Sequence, residues 1–303
     1  MKLSPTTQAT TRIRIYGTLF VLLVVSRFLL PADAWQGNLT RHMALEFMAA
    51  MLAVFVGMLA LVRYFTRRDN VFLFIGVGFV GAGLLDGLHV LAVHPQLMDI
   101  FPWLNFTPRW IWNASPTFLS ILIFGSWLTW RREVETGWYG RMTGRRLFLL
   151  IVGLTLINVL LFALVAQSEA APSLPLERVE LFISTTFYLW ALVNYLAKGH
   201  WQHDTFEHWL IIALLLSFSG QIFFLFSSVE LFDAYFEVAL ALKLASYSCV
   251  LVGLMGSIVV IFRQAAGSAA QLQQANDSLQ QEIAERQRAE RAEHEQRRLA
   301  EAL

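Results

Sequence analysis

Apolar runs of roughly 20 residues, separated by short polar segments, are the main pattern of this chain. A helix needs about 20 predominantly apolar residues to cross the hydrocarbon core of a bilayer. Each run is therefore predicted to form a transmembrane helix, and we recognise eight. They cover residues 15–31, 42–65, 71–92, 111–130, 147–167, 178–197, 208–228 and 238–262.

Basic residues are concentrated in every second connection, for example Arg63, Arg67 and Arg68 between the second and third runs. Connections on the cytoplasmic side carry such an excess of arginine and lysine. We therefore expect both termini to face the cytoplasm, because the number of runs is even. The mean hydropathy of +0.54 and the low charged fraction of 15% exclude an ordinary soluble domain of this length.

The composition changes after Arg263 to a polar stretch rich in Ala, Gln, Glu and Arg. Within it, Leu272, Asn276, Leu279 and Ile283 alternate spacings of four and three, which is the seam of a coiled coil that transmits a signal. The predicted fold is an all-α integral membrane protein, with an eight-helix sensor bundle over 1–263. A cytoplasmic, dimeric coiled-coil linker follows over 264–303, leading to an output module that these residues do not include.

Titratable side chains inside apolar runs are the candidate functional groups, because burying them is costly. His42 and Glu46 are four residues apart in the second run, and Asp86 and His89 are three apart in the third. Each pair shares a helix face, and antiparallel neighbours bring both pairs to a similar depth. Two imidazoles and two carboxylates would suit zinc, copper or iron. A histidine beside a carboxylate would equally suit proton sensing, and a polar network that only holds helices together is the third interpretation.

Further side chains of the outer half could complete a ligand pocket that opens outward. Lys243 needs a carboxylate inside the membrane, for which Glu46, Glu180 and Glu237 are the candidates. The other residues assigned to ligand binding are Arg27, His94, Arg109, Trp110, Trp112, Asn113, Glu177, Arg178 and Glu180. The three arginines could instead extend to the membrane surface. The inner halves of the runs are expected to be nearly free of charge.

Several short segments resemble a known family: HMALEF, DGLH, TPRWIWNAS and PLERVE. They resemble the third family of bacterial membrane-associated sensor (MASE) domains. The segment LQQANDSLQQEIAERQRAE is similar to the helical linkers that join sensors to PAS, histidine kinase or GGDEF diguanylate cyclase modules. The resemblance implies a signal-transduction input domain, as in two-component systems, in the bacterial inner membrane. It implies no particular ligand.

We therefore expect a membrane sensor for a small ligand, a metal ion, or a redox or proton state. Its partners would be the lipid bilayer and a second copy of the chain, and no nucleic acid. No nucleotide signature or soluble-type catalytic motif is present, so these 303 residues are not expected to be an enzyme. The alternative is an intramembrane metal-dependent hydrolase, in which the same histidines and acids would hold a metal with an open position for water.

Overall fold

The computed structural model describes residues 5–94, 108–137, 174–230 and 232–301, and single positions at 145, 149, 152–153 and 156–157. Side chains are not described at 5–6, 108–112, 174–180, 292–296 and 299–301. The described residues form helices joined by short connections, and no strand occurs among them. The all-α fold class predicted from the sequence is confirmed to this extent.

Seven long α-helices occur within the described ranges, and each covers one of the predicted runs. They are α1 (Pro5–Leu29), α2 (Leu39–Arg67), α3 (Asn70–Val93), α4 (Pro108–Thr136), α5 (Leu174–Lys198), α6 (Thr205–Ser219) and α7 (Ala234–Glu301). A 3-10 turn, His200–Gln202, precedes α6. A π-helical turn, Gly220–Phe224, and a second 3-10 turn, Leu225–Ser227, extend α6.

Four helical stretches within the described residues are long and apolar enough to cross a membrane. They are Leu39–Arg67, Asn70–Val93, Thr205–Ser227 and Ala234–Arg291. The chain is thus a membrane-associated, multi-helix protein. The predicted fifth run, 147–167, lies almost wholly outside the described residues, and the total of eight spans stays a prediction.

Short polar side chains cap the starts of the helices. Asn38, Asp69 and Asp204 stand immediately before α2, α3 and α6, and each accepts a hydrogen bond from a backbone N–H of the first turn. Asp233 accepts from the N–H of Phe236 in the same way at the start of α7. Such caps satisfy N–H groups that have no partner within the helix. They set the first residue of each helix.

Helices α2 and α3 approach each other closely because glycine occupies their contact face. A Cβ atom at Gly57 would lie 2.7 Å from the backbone oxygen of Gly76, and one at Gly83 would lie 2.7 Å from that of Ala50. Small residues allow such backbone approach between membrane helices. Further along the chain α3 packs on α4, α4 on α5, α5 on α6, and α1 on α6.

The chain divides into two compact units, Met1–Met255 and Gly256–Leu303. In the first unit, α7 contacts α3 and α6. The ring of Tyr247 lies edge-to-face against Phe79 of α3 with centroids 5.2 Å apart, and Gly253 lies against Trp209 of α6. The second unit consists of the rest of α7. The predicted boundary between bundle and linker, after residue 263, stays a prediction.

Candidate functional site

Lys243 of α7 is joined to both α2 and α3 by buried ion pairs. Its Nζ atom lies 2.9 Å from Oε2 of Glu46 and 2.8 Å from Oδ1 of Asp86. The two acids are 0% and 1% exposed. An ammonium group donates up to three hydrogen bonds, so one lysine can hold two carboxylates. We call Glu46, Asp86 and Lys243 the buried triad.

The buried triad contains two acids and one base. Among the described residues, Oε1 of Glu46 and Oδ2 of Asp86 have no hydrogen-bonding partner. Ser115 of α4, which is fully buried, lies beside Asp86. An uncompensated buried charge costs on the order of several kcal/mol. Gain or loss of a single positive charge at the triad would therefore change the free energy of packing between α2, α3 and α7.

His42 and His89 face each other one turn along their helices from the acids. Their Nε2 atoms are 3.4 Å apart, and their rings meet edge-to-face with centroids 5.6 Å apart. The rings of Phe232 and Phe236 pack on His42 at centroid distances of 5.3 Å and 5.2 Å. Both imidazoles are buried. His42 is thus packed between two aromatic rings and the ring of His89.

The four residues predicted to form one metal shell separate into two groups. Lys243 holds Glu46 and Asp86, whereas the imidazoles of His42 and His89 meet each other. Within the part of the chain that is described, no group of three or more His, Cys, Asp or Glu side chains is arranged to share an ion. The spacing within α2 and α3 could not reveal that one lysine holds both acids, because that lysine lies about 160 residues or more away along the chain.

The metal predicted at His42, Glu46, Asp86 and His89 stays a prediction, and the imidazole pair is the part of that set with a suitable spacing. The 3.4 Å between the Nε2 atoms is close to the spacing of two imidazoles bound to one tetrahedral ion through bonds of about 2.0–2.1 Å. In known metal sites the other ring nitrogen is normally hydrogen-bonded. Nδ1 of His42 has no such partner among the described residues. The distance between the two Nε2 atoms favours a metal, whereas the lack of a described hydrogen-bonding partner for Nδ1 of His42 does not.

Other predicted pocket residues have local contacts of their own. Arg27 donates to the hydroxyl of Tyr235 at 2.5 Å and lies 4.2 Å from the centroid of its ring. His94 caps the end of α3, and its Nδ1 is buried without a described partner. Asn113 is buried, and its backbone carbonyl accepts from Thr117. No hydrogen bond or ion pair in the described part of the chain joins these residues to the buried triad.

The remaining predicted pocket side chains lie outside the described residues, although their backbone is helical. They are Arg109, Trp110 and Trp112 in α4, and Glu177, Arg178 and Glu180 in α5. Their assignment to ligand binding stays a prediction.

A second buried ion pair lies where α5 ends and α6 begins, and the sequence analysis did not identify it. Nζ of Lys198 is 2.5 Å from Oε1 of Glu207, and their side chains are 4% and 9% exposed. Buried Arg12 of α1 donates to the backbone carbonyls of Trp201 and Asp204. These three charged side chains lie just outside the predicted runs 15–31, 178–197 and 208–228, so the expectation that the inner halves are nearly free of charge stays a prediction. The connection folds against α1 and buries its polar groups in pairs.

Comparison with known proteins assigns the chain to a family of sensors. The family model described as MASE3, membrane-associated sensor domain, matches residues 34–260. This range includes both imidazoles and all three members of the buried triad. No curated protein and no solved structure matches the chain. Since the match covers well over half of the sequence, the chain belongs to the MASE3 family of membrane-associated sensor domains.

Proposed function

We propose that the chain is the membrane-embedded input domain of a bacterial signal-transduction protein of the histidine kinase or diguanylate cyclase type. It senses a small ligand, a metal ion, or a redox or proton state through the polar groups of α2 and α3, in the outer half of the bundle. The sensed state passes to an output module through α7. Membership of a sensor family and the apolar helices support this proposal, and the basic connections support an orientation with both termini in the cytoplasm. The bacterial inner membrane is the proposed location.

The buried triad is the observation that carries the proposal. Lys243 belongs to the helix that continues to Glu301, whereas its two partners belong to α2 and α3. A change in the charge or hydrogen bonding of Glu46 or Asp86 therefore changes what holds Lys243. Sensing residues and the transmitting helix are linked by ion pairs.

A buried ion-pair group suits a switch because a half-paired state is costly. Removing one partner of a buried pair costs about 3–5 kcal/mol, so the ammonium either keeps both acids or finds new partners. A signal can shift the balance only by its different affinity for the two states. A coupling of about 1–3 kcal/mol is typical of allosteric proteins and is smaller than the cost of leaving one such pair broken.

Transmission beyond the membrane is proposed to use a parallel homodimer of α7. Leu272, Leu279 and Ile283 are 72%, 58% and 54% exposed in the single chain. Together with Asn276 they form the heptad seam, and a second copy would cover these apolar side chains. Rotation or shift of this seam would carry the state of the pocket to the output module.

The imidazole pair indicates which signals the pocket can take. Two imidazolium charges 3.4 Å apart would repel each other, so the pair accepts at most one proton comfortably. In the neutral state the two imidazoles could instead ligate a single metal ion. An intramembrane hydrolase is less well supported, because a catalytic zinc needs three protein ligands and Lys243 holds both acids.

A fusion of the chain to a diguanylate cyclase module tests the proposal. Cyclic di-GMP is measured in cells while external pH, metal supply and redox conditions are varied one at a time. The parent fusion should respond to one of these conditions. Lys243→Gln should hold the output at one level under all of them, because the acids of α2 and α3 no longer act on α7.

Lys198→Gln is the matched control, because it also removes a lysine from a buried lysine–acid pair, but one that joins α5 to α6 and includes neither Glu46 nor Asp86. At equal protein levels this variant should keep the response. A Lys243→Gln fusion that responds as the parent does would overturn the proposal.

A further inference from the structure

A cavity of about 40 Å³ borders Lys243 where α4, α5, α6 and α7 meet. A buried water needs about 10–15 Å³, so the cavity has room for roughly three waters or for a solute of two to four non-hydrogen atoms. Its lining residues all belong to the first compact unit and are all described. The cavity lies next to the buried triad and is distinct from the imidazole pair.

Two helices depart from regular hydrogen bonding at the cavity wall. Pro116 lies within α4, where it has no N–H to donate, and the π-helical turn Gly220–Phe224 extends α6. Pro116, Gly220 and Gln221 all line the cavity. π-helical turns are rare and occur frequently at functional sites. The irregular backbone segments of both helices thus line the cavity.

The wall of the cavity is mainly apolar and carries hydrogen-bonding groups at several points. Hydrogen-bonding side chains are contributed by Tyr188, Ser217, Gln221, Lys243 and Tyr247. The side-chain amide of Gln221 is held by the hydroxyls of Ser184 and Thr185, at 2.5 Å and 3.1 Å. Purely apolar cavities stay dry, whereas hydrogen-bonding groups on the wall allow a cavity of this size to hold water or a small hydrogen-bonding ligand.

Lys243 retains one donor that can serve an occupant. Two of its three N–H groups are directed to Glu46 and Asp86. The described residues contain no third acceptor for it, and its side chain keeps an exposed fraction of 14% while lining the cavity. A molecule in the cavity can therefore accept a hydrogen bond from the same ammonium that joins α7 to α2 and α3.

Charge selects the class of occupant. An anion would add negative charge beside a group that already has two acids for one base, and a cation would meet the ammonium of Lys243. We infer that the cavity binds a small, uncharged molecule that accepts a hydrogen bond through a carbonyl or hydroxyl oxygen. This inference rests on the proposed function for its biological role: such a molecule would act on the ammonium that couples α7 to the sensing helices.

The lysines of the chain provide a direct reporter. There are three, Lys2, Lys198 and Lys243, so the purified chain with ¹³C at lysine Cε gives few NMR signals. The Lys243 signal is assigned by its loss in Lys243→Gln. Acetamide is the probe that fits the cavity, and N,N-diethylacetamide carries the same carbonyl but is too large. Acetamide should shift the Lys243 signal in a saturable way and leave Lys198 unchanged, and the larger amide should not.

Two leucine variants of α7 complete the test. Ala239 lines the cavity, so Ala239→Leu should fill it and weaken acetamide binding at least about tenfold. Ala241 lies on the exposed face two residues on, and Ala241→Leu should leave binding unchanged. No saturable Lys243 shift in the parent, or equal binding in both variants, overturns the inference. This binding experiment needs no output module. Acetamide binding can therefore fail while the cyclase fusion still responds, and the fusion can fail to respond while acetamide still binds.

Discussion

A lysine that faces two buried acids has a different energetic role from a lysine at the membrane surface. An exposed ion pair contributes at most about 1 kcal/mol, whereas a broken buried pair leaves a charge without compensation. Lys243 is of the second kind, since Glu46 and Asp86 are buried and Lys243 is the cation paired with both. The contribution of the buried triad to the free energy of unfolding therefore depends on all three residues together.

Lys243→Met should lower the free energy of unfolding by about 3–5 kcal/mol, because two buried carboxylates lose their cation while the side-chain volume is nearly kept. Titration with sodium dodecyl sulfate, followed by circular dichroism, measures the change. Adding Glu46→Gln and Asp86→Asn to Lys243→Met should recover most of the loss. A Lys243→Met chain as stable as the parent would contradict the assigned ion pairs.

The sequence allowed part of this group to be predicted. Glu46 was one of three candidate partners for Lys243, because an ammonium inside a span needs an acid. Asp86 was expected on a metal with the histidines, because spacing within a helix reveals which residues share a face but not what lies opposite. The group forms between segments about 160 and 200 residues apart, so local pattern could not predict it.

At the scale of helices, the glycines of α3 explain why the sensing residues can meet. Gly83 lies against the backbone of α2, where a Cβ atom would be 2.7 Å from the oxygen of Ala50 and 3.0 Å from the nitrogen of Val54. Backbone atoms cannot move aside as the end of a flexible side chain can. The distance between Asp86 and Glu46, and so their shared contact with Lys243, depends on this close approach.

Gly83→Ala should destabilise the chain by about 1–3 kcal/mol through overpacking and should push α3 away from α2. Gly87→Ala is the control on the same helix, because nothing lies within 4 Å of the added Cβ. That change should be neutral or stabilising by about 0.5–1 kcal/mol, since alanine favours a helix. Unfolding in sodium dodecyl sulfate compares the two, and equal effects would refute the close packing.

The positions of helices can be predicted from the sequence, whereas irregular turns within helices cannot. Capping residues such as Asp69 and Asp204 stand just before long apolar runs, so the starts of α3 and α6 can be located from local sequence. The π-helical turn Gly220–Phe224 has no comparable local signal. It depends on packing against other helices, and the cavity it borders could not be foreseen.

At the scale of the whole chain, α7 is the element that links sensing to output in this account. In the first compact unit it contacts α2 and α3 through Lys243, and its continuation to Glu301 carries the exposed heptad seam. A family match over residues 34–260 shows a sensor domain. We propose that the signal passes from the polar groups of α2 and α3 through α7 to the output module. This proposal requires that the buried triad determine how α7 packs.

The most direct test of that requirement uses Cys249, the single cysteine of the chain, which is partly buried on α7. The rate at which a membrane-permeant maleimide modifies its thiol reports how α7 packs in the bundle. Lys243→Gln should change this rate by roughly threefold or more, because loss of the ion pairs lets α7 open locally. Lys198→Gln, the control, should react as the parent does. Equal rates in all three chains would contradict the claim that the buried triad couples α7 to the sensing helices.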